Sequence, residues 1–177
     1  GAQNLPIFAA LEQGLFEKAG ITLNMSTTPN SAYQAENLAG GKFHIAGTAF
    51  DNVVAYVEGQ GAVKIDPVPD FFAFMGATQI ELAFITQADI KSYADVKGKV
   101  LAMDALYTGF AFVLYEMLAK AGLTKADYKI EPVGATPVRW ESVKAGKHAG
   151  TMTIEPFTSI ARGNGFTVLD TSTKHYA

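Results

Sequence analysis

The chain has no cysteine. This one absence removes disulfides, thiolate metal sites and cysteine nucleophiles together. Its three histidines, His44, His148 and His175, are not spaced as metal ligands are. Charged side chains are sparse, at 18%, and contain no basic run, so the electrostatic footprint of a nucleic-acid binder is missing. Every apolar run falls short of the ~20 residues a membrane span needs. No cationic, apolar leader opens the chain, although a processed secreted protein would read the same way. The sequence holds no GxGxxG or GxxxxGK[ST] phosphate loop and no GxSxG nucleophile elbow, and its acidic residues form no close pair. These gaps leave no catalytic constellation and no resident cofactor or metal.

What remains is 177 residues of which 49% are hydrophobic, enough to bury the core of one domain or of two small ones. Helical and strand periods alternate. Ile7, Phe8, Leu11, Leu15 and Phe16 share a face and predict a helix over 6–19, which Gly20 ends. Strands are expected at 21–26, 43–47, 71–76 and 80–86, helices at 31–39 and 50–58, and a loop at 59–70. A helical turn at 92–97 ends at Gly98 and leads to a strand at 99–103. The clearest helix is 109–121, where Phe110, Val113, Leu114, Met117, Leu118 and Ala121 recur with helical spacing. Strands at 127–132, 149–154 and 166–170 then alternate with helices at 137–145 and 156–162. Such alternation predicts an α/β fold with largely parallel strands.

The pattern occurs twice. Lys18-Ala19-Gly20-Ile21-Thr22 is matched roughly one hundred positions later by Lys120-Ala121-Gly122-Leu123-Thr124. Gly41-Lys42-Phe43-His44 is matched by Gly146-Lys147-His148 at nearly the same offset. Preserved order at a near-constant offset indicates duplication, and hence two lobes.

In parallel α/β sheets ligands lie beyond the carboxyl ends of strands, where helix N-termini present free N–H groups and a positive dipole end. Four polar turns occupy such places. The first holds Thr28, Asn30 and Ser31, which are also natural helix caps. The second holds Thr48, Phe50, Asp51 and Asn52, where an aromatic has no evident structural need. The third runs from Asp104 through Tyr107, Thr108 and Gly109, and the glycine leaves the backbone open to close approach. The fourth holds Glu155, held before a proline and suited to a cationic or hydrogen-bond-donating group. Arg139 and Trp140 open the 137–145 helix and suit anion pairing and ring stacking, although Trp140 serves equally as a core residue. The ligand-binding candidates are therefore Asn30, Ser31, Thr48, Phe50, Asp51, Asn52, Tyr107, Thr108, Gly109, Arg139, Trp140 and Glu155. Phe110 lies on the core face of its helix.

Four segments in order resemble a known family. Leu5-Pro6-Ile7-Phe8-Ala9-Ala10-Leu11-Glu12-Gln13-Gly14-Leu15-Phe16-Glu17-Lys18-Ala19-Gly20-Ile21 is similar to the opening helix of ABC-transporter solute-binding proteins of the nitrate, sulfonate, taurine and thiamine-precursor type (NMT1/THI5-like, SsuA/TauA-like). Ile90-Lys91-Ser92-Tyr93-Ala94-Asp95-Val96-Lys97-Gly98-Lys99 resembles the segment that leads into the family's second lobe. The Ser142–Gly150 turn and Glu155-Pro156-Phe157 resemble two further family motifs. The resemblance implies a two-lobed, type II periplasmic-binding-protein-like fold, with ligand trapped between lobes joined by crossings near 83–89 and 166–172. It implies a first lobe at 1–86, a second at 87–168 and a return crossing at 169–177. Measured against the family, the first strand and the C-terminal helices that complete the first lobe are missing. The first lobe is therefore expected to be the less stable half.

The resemblance implies a monomer, periplasmic or membrane-anchored outside a bacterial cell. It would capture a small organic anion (a sulfonate, a carboxylate or a heteroaromatic such as a pyrimidine) and pass it to an ABC permease. Glu155 and Asp51 would suit an amine on the same ligand. Enzymes on this scaffold that make a thiamine pyrimidine or remove sulfinate rely on cysteine, which this chain lacks. A menaquinone-pathway-type enzyme or a ligand-sensing domain stays open as an alternative.

Overall fold

The computed structural model describes residues 4–77 and 80–176. Its centre is a five-stranded sheet formed by β1 (Ala83–Thr86), β2 (Val100–Met103), β3 (Lys129–Pro132), β4 (Gly150–Thr153) and β5 (Thr167–Thr171), in the order β3-β2-β4-β1-β5. β2 runs parallel to β3 and to β4, as the alternating pattern predicts. β1 runs antiparallel to both β4 and β5, so the sheet is mixed rather than wholly parallel. Residues 83–86 and 167–171 lie within the two segments expected to cross between lobes, and they pair directly with each other.

Helices cover both faces of this sheet. β1 alternates, so Phe84 joins one cluster and Ile85 the other. Phe84, Leu101, Met103 and Met152 pack with Leu114, Met117 and Leu118 of α5 (Gly109–Lys120), all 0–1% exposed. Burying each such side chain contributes about 2 kcal/mol. On the opposite face Ile85 packs with Trp140 of α6 (Thr136–Lys144) and Ala161 of α7 (Phe157–Gly163). The Thr108 hydroxyl caps α5 by accepting from the Ala111 N–H.

The N-terminal segment is built differently. The helix expected over 6–19 is two pieces, α1 (Leu5–Glu12) and α2 (Leu15–Lys18), separated at Gly14, whose φ of 64° breaks the helical run. α3 (Ser31–Ala39) and α4 (Phe50–Val57) fall where predicted. The strands expected at 21–26, 43–47 and 71–76 do not form, and the last of the four expected strands is confined to Ala83–Thr86. A strand is defined by its ladder, and among the described residues nothing pairs with these three runs. Their apolar side chains stay in solvent, with Ile45 66% and Phe72 79% exposed. In residues 4–77 only Ala35 and Tyr56 are buried hydrophobics.

The repeated glycines have matching conformations. Gly20 and Gly122 have φ of 72° and 83°, and Gly41 and Gly146 both have 73°. Each follows a helix end and takes the left-handed geometry that a β-carbon disfavours.

Candidate functional site

Among the described residues three hydrogen bonds join the N-terminal segment to the sheet-bearing segment, and all three lie at helix N-termini beyond the carboxyl ends of β2 and β3. The Ser31 hydroxyl donates to Asp104 Oδ2 at 2.5 Å. The Gly109 N–H, the first of α5, donates to Asp51 Oδ2 at 2.6 Å. The Ala135 N–H, just before α6, donates to the Pro29 carbonyl at 3.0 Å. The N-termini of α3, α4, α5 and α6 thus meet along one seam, each placed there by the strand-to-helix or loop-to-helix turn before it.

Several predicted residues stand on this seam. Asn30 caps α3 by accepting from the Tyr33 N–H at 2.7 Å, and this presents Ser31 to Asp104. Asp51 occupies the first turn of α4 and reaches across to α5. Gly109 admits it: a β-carbon there would lie 2.6 Å from the Asp51 carboxyl carbon. Thr108 is buried as a cap.

Arg139 is 1% exposed. Its Nε donates to the Thr151 hydroxyl, Nη1 to the Gly134 carbonyl, and Nη2 to the Thr136 hydroxyl and the Met152 carbonyl. Four of its five N–H groups are therefore committed within the protein. Burial lowers its pKa to about 10, and the charge of Asp104 opposes that shift. Its guanidinium lies 5.8 Å from the Phe110 ring centre.

The other predicted residues lie elsewhere or are occupied. Trp140 is 3% exposed and meets Phe166 edge-to-face at 5.0 Å, so its ring belongs to the core beneath α6. Glu155 is exposed and accepts from Ser159 N and Oγ, capping its own helix. Asn52, in the first turn of α4, donates to the Thr48 hydroxyl just before that helix at 2.8 Å. Phe50 and Tyr107 are 66% and 64% exposed beside the seam.

Two further residues are not among the ligand-binding candidates of the sequence, although Asp104 opens the third of its polar turns. Asp104 directly follows β2, and its position after a strand was its only signal. Tyr56 carries no signal, since it lies on the inner face of an ordinary amphipathic helix. Its hydroxyl and Asp104 Oδ1 are the buried side-chain polar atoms without a hydrogen-bond partner among the described residues. Burial pushes the Tyr56 phenol up, and the carboxylates of Glu36 and Asp104 add to this. The N–H groups of Ala62 and Val63 pass nearby and partly offset it, without reaching hydrogen-bonding geometry.

A cavity of about 330 Å³ lies at the opposite end of the sheet, lined by Gln87, Lys99, Lys147 and His148. It adjoins the amino ends of β2 and β4, where strands present no helix N-termini. His148 Nε2 faces Glu131 Oε2 at 3.0 Å, while its Nδ1 meets the Ser142 hydroxyl. Gln87 ties this turn down by donating to the Val143 and His148 carbonyls. The seam, not this cavity, gathers the predicted residues.

The model of the family described as NMT1/THI5-like matches residues 2–166. Three solved structures share the fold. A protein of Bordetella bronchiseptica RB50 is 19% identical with a TM-score of 0.68, over 97% of this chain and 55% of that one. The alkanesulfonate-binding protein SsuA from Xanthomonas axonopodis pv. citri, solved bound to MOPS, is 16% identical with a TM-score of 0.65, over 96% of this chain and 58% of that one. The periplasmic aliphatic sulphonate binding protein SsuA from Escherichia coli is 17% identical with a TM-score of 0.64, over 98% of this chain and 59% of that one. The chain therefore spans less than two thirds of the length of these structures. No curated protein matches it. The α/β fold is of the two-lobed, type II periplasmic-binding-protein kind.

Proposed function

The chain belongs to the NMT1/THI5-like family, and we propose that it captures a small organic molecule between two lobes and delivers it to an ABC permease. The observation that carries this reading is the seam itself. Four helix N-termini from two segments of the chain face one another there, held among the described residues by three direct hydrogen bonds. Such an interface opens at small cost and offers backbone donors from both sides. The first lobe corresponds to residues 1–86 and the second to 87–168. The β1–β5 pair and residues 169–177 supply the connection about which the lobes would hinge. The same reading makes the protein a bacterial periplasmic or extracellular monomer without catalytic residues.

Ser31, Asp51, Asp104, Thr108 and Gly109 would contact the ligand, with Arg139 behind them holding the β4 and α6 ends in place. Phe50 and Tyr107, exposed at the rim, would close over it. Sulfonates, carboxylates and heteroaromatics such as pyrimidines form the panel to try, since SsuA neighbours are described as sulfonate-binding.

The test is thermal unfolding of the intact protein against that panel, with chemical analysis of any stabilising compound. Stabilisation by several kcal/mol at saturating ligand, with the compound recovered unchanged, supports capture and transport. Conversion of the compound would instead establish an enzyme on this scaffold and overturn the reading.

A further inference from the structure

Within the proposed binding site, and resting on that reading, we infer that the ligand presents a protonated, N–H-bearing nitrogen (an ammonium, amidinium or guanidinium) to Asp104 and Asp51. Two carboxylates, Asp51 and Asp104, bond across the seam. Among the described residues neither lies within ion-pair distance of a lysine, arginine or histidine. Arg139, the one buried arginine or lysine among the described residues, feels Asp104 but has spent four of its five N–H groups on Thr151, Gly134, Thr136 and Met152. It has little left for an incoming anion.

The helix N-terminus best placed to hold an anion is already taken, because the α5 N–H of Gly109 is bonded by Asp51's own carboxylate at 2.6 Å. An anionic ligand would have to displace a like charge and then remain beside it. A cationic nitrogen has the opposite experience. It meets Asp104 Oδ1, a buried acceptor without a donor, and lies close to Asp51. The Tyr56 hydroxyl, on a side chain 3% exposed, is likewise without a partner, and the Asp104 charge reaches it. It offers a donor to an acceptor atom elsewhere on the same ligand. A charged acceptor beside a neutral donor reads a polar nitrogen head group and rejects an apolar one, since a ligand lacking it leaves both buried groups unpaired.

The experiment uses ligands that share one ring and differ only in head group: benzylamine, benzamidine, benzoate, benzenesulfonate and 4-(aminomethyl)benzoate. Binding to the intact protein is measured by calorimetry, on the wild type and on Asp104→Asn, Asp51→Asn and Tyr56→Phe. The expected result is binding of the amine and amidine heads in preference to the two anions by tenfold or more. Asp104→Asn should lose at least tenfold for the cations, and Tyr56→Phe a smaller factor of a few. Asp51→Asn should narrow the gap by admitting the anions. Unfolding midpoints of the three variants verify folding, and because the wild-type preference needs no variant, a misfolded one does not shelter the inference. Preference for benzoate or benzenesulfonate overturns the inference while leaving ligand capture standing. Failure of every cationic head group to bind also overturns it. Conversion of any of these compounds sinks the transport reading instead.

Discussion

Asp51 and Gly109 are in contact across the seam: Oδ2 of the carboxylate lies 2.6 Å from the glycine nitrogen, and no β-carbon fits between them. The contact joins α4 of one segment to α5 of the other through a side chain at one helix start and a bare backbone at the other.

Gly109→Ala should therefore destabilise the joined form. The added methyl overlaps a carboxyl group held by the Gly109 N–H, and overpacking of this kind costs about 1–3 kcal/mol. Thermal unfolding of the intact protein measures it. In an Asp51→Ala background the obstacle is gone, and the same substitution should cost less than about 0.5 kcal/mol. Equal losses in both backgrounds would place the glycine's importance in the α5 backbone instead.

Arg139→Met retains length and apolar packing but removes every N–H. The Gly134 carbonyl and the Thr136 and Thr151 hydroxyls then lose the guanidinium as donor, and the Met152 carbonyl keeps only the Thr151 hydroxyl, all at buried or half-buried places. A loss of about 3 kcal/mol is expected in urea unfolding. A change below about 1 kcal/mol would mean that solvent reaches these groups once the guanidinium is gone.

Trp140→Ala separates a packing role from a binding role. The ring is buried against Phe166 at 5.0 Å, so its removal should cost about 3–5 kcal/mol of stability. Ligand affinity, measured well below the new unfolding temperature, should stay within about twofold of wild type, since the ring does not reach the seam. A tenfold loss of affinity in the folded variant would return the tryptophan to the site.

Acid should weaken the protein through Asp170. Burial alone would raise its pKa, but hydrogen bonds from His175, Tyr93, the Thr171 N–H and Lys174 outweigh it and lower the value from 3.8 to about 2. A carboxyl depressed on folding adds stability above its unfolded value and loses it as pH falls towards the folded one. The contribution, about 2 kcal/mol, is complete above pH 3.8 and disappears progressively between there and about pH 2. Urea midpoints from pH 6 to pH 2 should show this decline, and Asp170→Asn should flatten it while lowering the plateau. Through Lys174 and His175, Asp170 anchors Ser172–Lys174, whose Ser172 also bonds Leu82 beside β1. The loss should therefore begin at the β1–β5 connection.

The elements on the sheet were legible because their side chains obey period and cap together. Phe110 to Ala121 give one apolar stripe, Thr108 starts it and Gly122 ends it, and α5 follows within a residue of the predicted bounds. The strands at 21–26, 43–47 and 71–76 had the composition of strands but not the partners. Alternation can state which face of a strand is apolar, yet it cannot supply the neighbour whose N–H and C=O groups complete the ladder. The direction of β1 was likewise invisible, since an apolar run of four residues reads the same in a parallel or an antiparallel pair.

The seam divides in the same way. Ser31, Asp51 and Gly109 could be named because turns between strands and helices have a recognisable chemistry, and each residue is local to its own turn. Asp104 and Tyr56 acquire meaning only from residues far away in the chain: Ser31 for the first, Glu36 and Asp104 for the second. Trp140 and Arg139 are adjacent in sequence and look alike as candidates, yet one faces Phe166 in the core and the other turns its guanidinium to Gly134 and Met152.

Local sequence therefore determined most of the helices, the Asn30 and Thr108 caps, the paired glycines and the family, because propensity, period and turn geometry act over a few residues. Tertiary structure alone decided which carboxylates face one another, which polar atoms are buried without a partner and which strands form. Burial, charge proximity and ladder hydrogen bonding are properties of pairs that the chain brings together only on folding.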